Sequence, residues 1–421
     1  MENITKDPKL LFEERLKRVD DAIAMKEGDR VPVAPFFSSV TQRLCGSSYR
    51  DLYYDYDRAG QAAVDFYARY PVDACTGARF TSGKAQEIAG INIIDWPGKP
   101  GTAISIYSSH QVREIEYLSA EECYGALRAD FDGFYLRHYL PRVYDNLKEL
   151  ETLRFAPATI LSAGGGLGPL LKPEFFAFVD KLKAIAEADA EAAAKSAEWS
   201  GKIENELGIP KLFTGGGEVP FDVISDYFRT TIPAMEDLFE YEDEILELCD
   251  IIAERQIASW KYFENAAMPV KRVFFPLHKA MDGFMSPAQF EKIYMKPYLK
   301  QLDYLLSIGV TPFVFTEGNY NTRLEQMAEM LPKGCLVGFE SVDMKRAKET
   351  VGKTNCITGN LSLYTLEFGS KEQTVAETKE LIDICAPGGG YIFGCSGCVE
   401  NAKVENLEAM LETLETYGRK G

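Results

Sequence analysis

A small set of residues placed just after apolar runs could do chemistry in this sequence. Thr316-Glu317-Gly318-Asn319-Tyr320 follows the run 310–315, and Glu340 follows 336–339. Cys356 opens a further short apolar run, and Gly394-Cys395-Ser396-Gly397-Cys398 follows 391–393. His278 ends the stretch Phe274-Phe275-Pro276-Leu277. A catalytic zinc takes three protein ligands from thiolate, imidazole and carboxylate, and keeps a fourth position open for substrate. Glu317, Cys356 and Cys395 would meet that demand, with His278 as a substrate acid or a ligand. The spacing is not that of a zinc ribbon, because these ligands would come from separate strand ends. Each residue also has a plainer reading. Glu317 would suit a helix start, where the macrodipole favours a carboxylate. Cys356, Cys395 and Cys398 would suit buried packing, and His278 a hydrogen-bonded loop edge.

For these residues to meet, the strands that carry them must run parallel and end on one face. The C-terminal half has that pattern. Strand-like runs at 310–315, 336–339, 356–358 and 391–394 alternate with helical runs at 322–331, 344–351, 374–384 and 405–417. Ser286-Pro287-Ala288-Gln289 has the spacing of a capping box with Pro in the first turn of a helix. Such alternation predicts right-handed βα units, and a run of them closing at the chain's end predicts a (β/α)₈ barrel with its active site at the C-terminal strand ends. Upstream, the pattern predicts a helix at 10–26, strands at 31–37 and 71–75, a helix at 59–69, a hairpin insertion within 90–118, and a long helix from 173 to 206. The expectation is an α/β protein: one distorted (β/α)₈ TIM barrel over 1–421, with residues 1–30 as a helical extension.

Composition narrows the function. The 64 acidic residues outnumber the 46 basic ones in 421, for a net charge of -18. Such a field repels phosphate backbones and anionic lipids, so neither nucleic acid nor a membrane is the expected partner. No stretch has the roughly 20 apolar residues of a membrane span, and the start has no apolar signal core, so a cytoplasmic location is expected. Nine scattered cysteines read as reduced thiols, most of them buried. Three histidines leave little for a His-built site. The glycine runs 164–166, 215–217 and 388–390 lack the flanking residues of phosphate or dinucleotide loops, and read as turns or as loops close to a flat ligand.

Several segments carry a family likeness. Glu27-Gly28-Asp29-Arg30-Val31-Pro32-Val33, Tyr70-Pro71-Val72-Asp73-Ala74, Gly359-Asn360-Leu361, and Gly389-Gly390-Tyr391-Ile392-Phe393-Gly394-Cys395 through Glu405-Asn406-Leu407 resemble the uroporphyrinogen decarboxylase superfamily. That resemblance implies a distorted barrel and one of two activities: decarboxylation of a porphyrinogen, or zinc-dependent methyl transfer with a corrinoid protein. The decarboxylase signatures, Arg-Gln-Ala-Gly-Arg-Tyr after the first strand and Phe-Ser-Asp-Ile after the second, are replaced here by Ala34-Pro35-Phe36-Phe37-Ser38-Ser39 and Thr76-Gly77-Ala78-Arg79-Phe80-Thr81. In the methyltransferase pattern, zinc sits on a His-x-Cys and a later Cys. Here Phe315 stands for the His, Glu317 for the first Cys, and Cys395 for the last.

The resemblance therefore implies an O-demethylating methyltransferase. Zinc on Glu317, Cys356 and Cys395, with Glu340 holding the open position, would polarise the oxygen of a methoxylated aromatic. The cob(I)alamin of a partner corrinoid protein would accept the methyl group. Glu317 and His278 are the expected catalytic pair, and Phe36, Phe37, Asn319 and Tyr320 the expected substrate contacts. The alternatives are a metal-free decarboxylase-like enzyme, a tetrapyrrole-binding protein, and a methylcobalamin:thiol methyltransferase. A homo-oligomer is compatible with the sequence.

Overall fold

A computed structural model describes residues 6–156 and 166–419. Gly164 and Gly165 of the first glycine run lie outside them. Six strands form one parallel sheet in sequential order: β3 (Gly215–Gly216), β4 (Arg272–Leu277), β5 (Thr311–Asn319), β6 (Leu336–Ser341), β7 (Cys356–Thr358) and β8 (Tyr391–Ile392). The predicted hairpin insertion is present as β1 (Ile94–Asp95) paired antiparallel with β2 (Gln111–Val112). Two further staves, residues 31–37 and 72–76, are too irregular for a full ladder. Pro32, Pro35 and Pro71 remove backbone donors there.

Those two staves close the ring. Phe393 N donates to Pro32 O (2.8 Å) and Ala34 N to Phe393 O (2.9 Å); Asp73 N donates to Val33 O (2.8 Å); Cys75 N donates to Pro210 O (3.1 Å) and Leu212 N to Cys75 O (2.7 Å). The Val33–Phe393 and Cys75–Lys211 bridges are parallel. Eight parallel staves thus surround one interior, and the fold is the expected (β/α)₈ barrel in distorted form.

Side-chain alternation along each strand separates two layers. Ala34, Ala74, Leu212, Phe313, Leu336, Cys356 and Ile392 fill the barrel's lower interior. The N-terminal helix Pro8–Ile23 stops the bottom with Val19 and Ala22. Residues of the opposite parity, such as Phe275, Val337, Ile357 and Phe393, face the surrounding helices in the main core. The helix starts follow the chemistry read from the sequence. Ser286 forms its capping box with Gln289, and Ser370 does the same with Gln373; each cap is worth about 1 kcal/mol. The long helix runs Pro173–Leu207. No described helix is long and apolar enough to cross a membrane.

Candidate active site

The barrel's strands end in a mouth rich in carboxylates. Asp222 and Asp226 stand four apart in the helical stretch after β3, Pro220–Val223 running on into the π-helical turn Ile224–Arg229. That spacing puts both on one face. Asp222 is fully buried and accepts from His278 N (2.9 Å), Lys279 N (3.0 Å) and the Tyr294 hydroxyl (2.6 Å). It thereby fixes the chain where it leaves β4. Tyr320, also fully buried, donates from its hydroxyl to Leu277 O (3.1 Å) and braces the same strand end.

His278 is held between two carboxylates. Its Nδ1 lies 2.5 Å from Asp226 Oδ2 and its Nε2 lies 3.6 Å from Glu317 Oε2. Burial disfavours a charged imidazole, but the Asp226 hydrogen bond and the charges of Asp222, Asp226 and Glu317 outweigh it and raise the pKa to about 9. Near neutral pH the ring is an imidazolium with Nδ1 given to Asp226 and Nε2 turned toward the mouth. Lys279 Nζ, 3.0 Å from Asp226 Oδ1, shares that aspartate.

The other carboxylates are less well served. Burial, partly offset by His278 and reinforced by Asp222 and Asp226, raises Glu218 to about 7. Its Oε2 is buried without a partner, while Tyr227 reaches Oε1 at only 3.5 Å. Asp222 is raised to about 6, mainly by burial. Glu317 is raised by burial, with Glu340 adding to the shift and His278 opposing it. Glu340 accepts from Gly318 N, at a φ of +86° that suits glycine.

Below these groups lies a floor of phenylalanines. Phe36 points inward, with its ring centre 5.4–6.1 Å from those of Phe213, Phe274, Phe313 and Phe315. Phe213 and Phe274 stack at 4.9 Å.

The structure divides the predicted site residues. His278, Glu317 and Glu340 come together at the mouth, and Phe36 lies beneath them. Cys356 does not join them. It opens β7, level with Leu336 and, one strand further, Phe313. Glu317 stands four residues beyond Phe313, about 13 Å up the barrel at roughly 3.3 Å per residue. Cys395 shares the outward parity of Tyr391 and Phe393 and is buried against the helix layer. Burial pushes both thiols well up. The set Glu317, Cys356, Cys395 and Glu340 is therefore not assembled. Among the described residues no three His, Cys, Asp or Glu side chains are grouped to hold a metal ion.

Phe37 faces outward against Phe66 (5.0 Å) and Tyr67. Asn319 is occupied as a turn, its Oδ1 accepting from Asn321 N (3.0 Å) and Nδ2 (2.8 Å). Phe37 and the buried Tyr320 do not line the mouth, while Asn319 is exposed at the end of β5 with its side-chain oxygen committed to that turn.

The thiol that does reach the mouth is Cys398. It is exposed, on the loop after β8. Desolvation by surrounding protein, then Glu317, Glu400 and Glu340, pushes it up to about 11. The sequence reading of Cys398 as a packing thiol is corrected by its exposure, and sequence reasoning passed over Glu218, Asp222 and Asp226. The available signal was the acidic spacing in Glu218-Val219-Pro220-Phe221-Asp222-Val223-Ile224-Ser225-Asp226, directly after a glycine strand.

Residues 160–417 match the family model for uroporphyrinogen decarboxylase (URO-D). A methyltransferase from Methanosarcina mazei shares the fold, with a TM-score of 0.58 and 17% identity over 96% of this chain and 98% of that one. No curated protein matches the sequence.

Proposed function

Because the chain belongs to the uroporphyrinogen decarboxylase family, we propose that it uses that family's barrel as a methyltransferase. In this reading it moves a methyl group from a methoxylated aromatic to the cob(I)alamin of a partner corrinoid protein. One observation carries the reading: His278, a charged acid, is aimed by Asp226 into a mouth floored with phenylalanines. The named methyltransferase of similar fold is in keeping with it. The carboxylates of the mouth weigh against a polyanionic porphyrinogen.

In the reaction, the bond between methyl carbon and ether oxygen breaks, and its electron pair stays on the oxygen. The methyl group goes to the acceptor, and the oxygen takes the proton of His278. A phenol titrates near 10, as tyrosine does, and His278 at about 9, so acid and leaving group are matched within about one unit. General acid catalysis of this kind contributes about 10²–10⁴-fold. Asp226 keeps the ring oriented and charged. The phenylalanine floor receives the aromatic body and excludes water. Since the zinc set expected from sequence is not assembled, no step is assigned to a metal.

The test supplies purified protein with a reduced corrinoid protein and a methoxylated aromatic. Release of the phenol is expected, and a fall of about 10²–10⁴-fold in His278→Gln. Release of carbon dioxide from a porphyrinogen, or absence of phenol, would overturn the reading.

A further inference from the structure

We propose that the cleft between residues 76–79 and β3 is a carboxylate site, so that the ligand of this barrel is a planar acid. This deepens the functional reading above by naming the acidic group its substrate carries.

The cleft exists because two staves part company. They are bonded as far as Cys75 and Leu212. Beyond that point the first one leaves the barrel for the long helix, with Ala78 N on Ser200 Oγ (3.1 Å) and Phe80 N on Ser196 Oγ (2.9 Å). The opening is a cavity of about 380 Å³ whose lining includes Thr76, Arg79, Lys211, Phe213, Thr214 and Gly216. A Cβ on Gly216 would meet nothing within 4 Å, so the strand edge lies open to the cavity. Gly77, at a φ of +73°, makes room on the other side, where a Cβ would come 2.9 Å from Ser200 Oγ and 3.2 Å from Lys211 Cε.

The charge of this cleft is opposite to that of the molecule. Its ionisable lining residues are Arg79 and Lys211, with no carboxylate among them, in a chain of net charge -18. Lys211 is shared with Glu204 at 3.5 Å. Among the described residues Arg79 has no ion-pair partner; its guanidinium lies over the ring of Phe213, 5.5 Å from the centre. A guanidinium stacked in this way is already oriented, and its planar donors match the two oxygens of a carboxylate.

The position ties the cleft to the site already described. Phe213 belongs to both, since it stacks on Phe274 of the floor. Arg79 is also near enough to Cys398 to offset in part the carboxylates that act on that thiol. A flat acid could rest its body on the phenylalanines, with its carboxylate toward Arg79 and its far end toward His278.

The experiment is calorimetric titration of the full-length protein with 4-hydroxybenzoate and with its uncharged amide, without corrinoid or methyl donor. The acid should bind at least about tenfold tighter than the amide, as one charge-assisted pair allows. Added salt should narrow that margin. Arg79→Gln should abolish the preference, and because Arg79 is exposed the variant should fold as the parent does, which circular dichroism checks. Lys211→Met should reduce the preference less. Equal binding of acid and amide, no binding of either, or a preference retained in Arg79→Gln would overturn the proposal. If the acid binds through Arg79 while its methyl ether is not demethylated, the reaction assigned above is wrong and the carboxylate site stands. Demethylation without the Arg79-dependent preference would show the reverse.

Discussion

The two ends of the barrel handle charge in opposite ways. At the bottom, Asp73 is fully buried and receives Arg18 Nη1 (2.6 Å), Arg30 Nη1 (2.6 Å), Arg30 Nη2 (2.7 Å) and Val33 N (2.8 Å). Arg272 pairs with Asp20, and Arg15 donates to Leu207 O (2.6 Å) and Gly208 O (2.9 Å). Cations there match or outnumber carboxylates and the groups are saturated. At the mouth, Glu218, Asp222, Asp226 and Glu317 share His278, the Lys279 ammonium serves only Asp226 and Glu317, and Glu218 keeps a bare oxygen. Saturated charges fasten the N-terminal helix and the first two staves. At the mouth, Glu218, raised to about 7, and His278, raised to about 9, carry protons that can move near neutral pH, where acid and base chemistry needs them.

That contrast gives its largest effect at the bottom. Asp73→Ala leaves Arg18 and Arg30 together without their shared carboxylate and removes the acceptor of Val33 N. Breaking a buried pair in this way costs about 3–5 kcal/mol. Urea unfolding should show an unfolding free energy lower by about that amount, read as a lower midpoint at unchanged m. An Asp73→Ala protein as stable as the parent would mean that the saturated end is not what secures the barrel.

At the mouth, Asp226→Asn should act on protons more than on folding. It removes the nearest negative charge, and with it the charge assistance of the hydrogen bond that holds His278 at about 9, so the imidazole should titrate back toward its ordinary 6.5. With only three histidines in the chain, NMR can follow each ring. The linkage has a definite sign. A histidine with a raised folded pKa adds stability that is fully present below about 6.5 and lost as pH rises through about 9. The raised carboxyls of Asp222 and Glu218 act the same way, their contributions fading as pH rises through about 6 and about 7. These groups should make stability fall from mildly acid to alkaline pH, and Asp226→Asn should lose the alkaline part of that fall. An imidazole that still titrates near 9 in Asp226→Asn would break the assignment of Asp226.

Much of the fold could be read from the sequence because local patterns and the tertiary fold agree. The capping box at Ser286, the long helix from Pro173 and the short strand Cys356–Thr358 stand where propensity and turn chemistry put them. The site was legible only in part. Glu317, Glu340 and His278 follow apolar runs, and strand ends are where barrels collect such residues. Cys356 and Cys395 were misplaced because register decides depth and facing, and neither shows in a strand's composition. One residue along a strand turns a side chain from the interior to the helix layer, and four move it from floor to mouth. Asp222 and Asp226 were overlooked because they sit on a helix after the strand, with partners far apart in the chain.

The smallest effect, and the sharpest on register, separates the thiols of one loop. Cys395 and Cys398 lie three residues apart, yet Cys395 is packed against the helix layer and Cys398 is open at the mouth. Thiol reactivity needs access and a thiolate. Cys398 has access, but its proton is held until about pH 11 by desolvation and by Glu317, Glu400 and Glu340. Iodoacetamide on native protein, read by peptide mass, should therefore modify Cys398 slowly and Cys395 and Cys356 not at all until the chain unfolds. Glu317→Gln removes one carboxylate and should speed alkylation of Cys398 by a factor of a few, since less charge opposes the thiolate. Modification of Cys395 ahead of Cys398 would turn the last strand over. It would bring back the thiol expected from sequence and undo the contrast between a packed outer face and an open mouth.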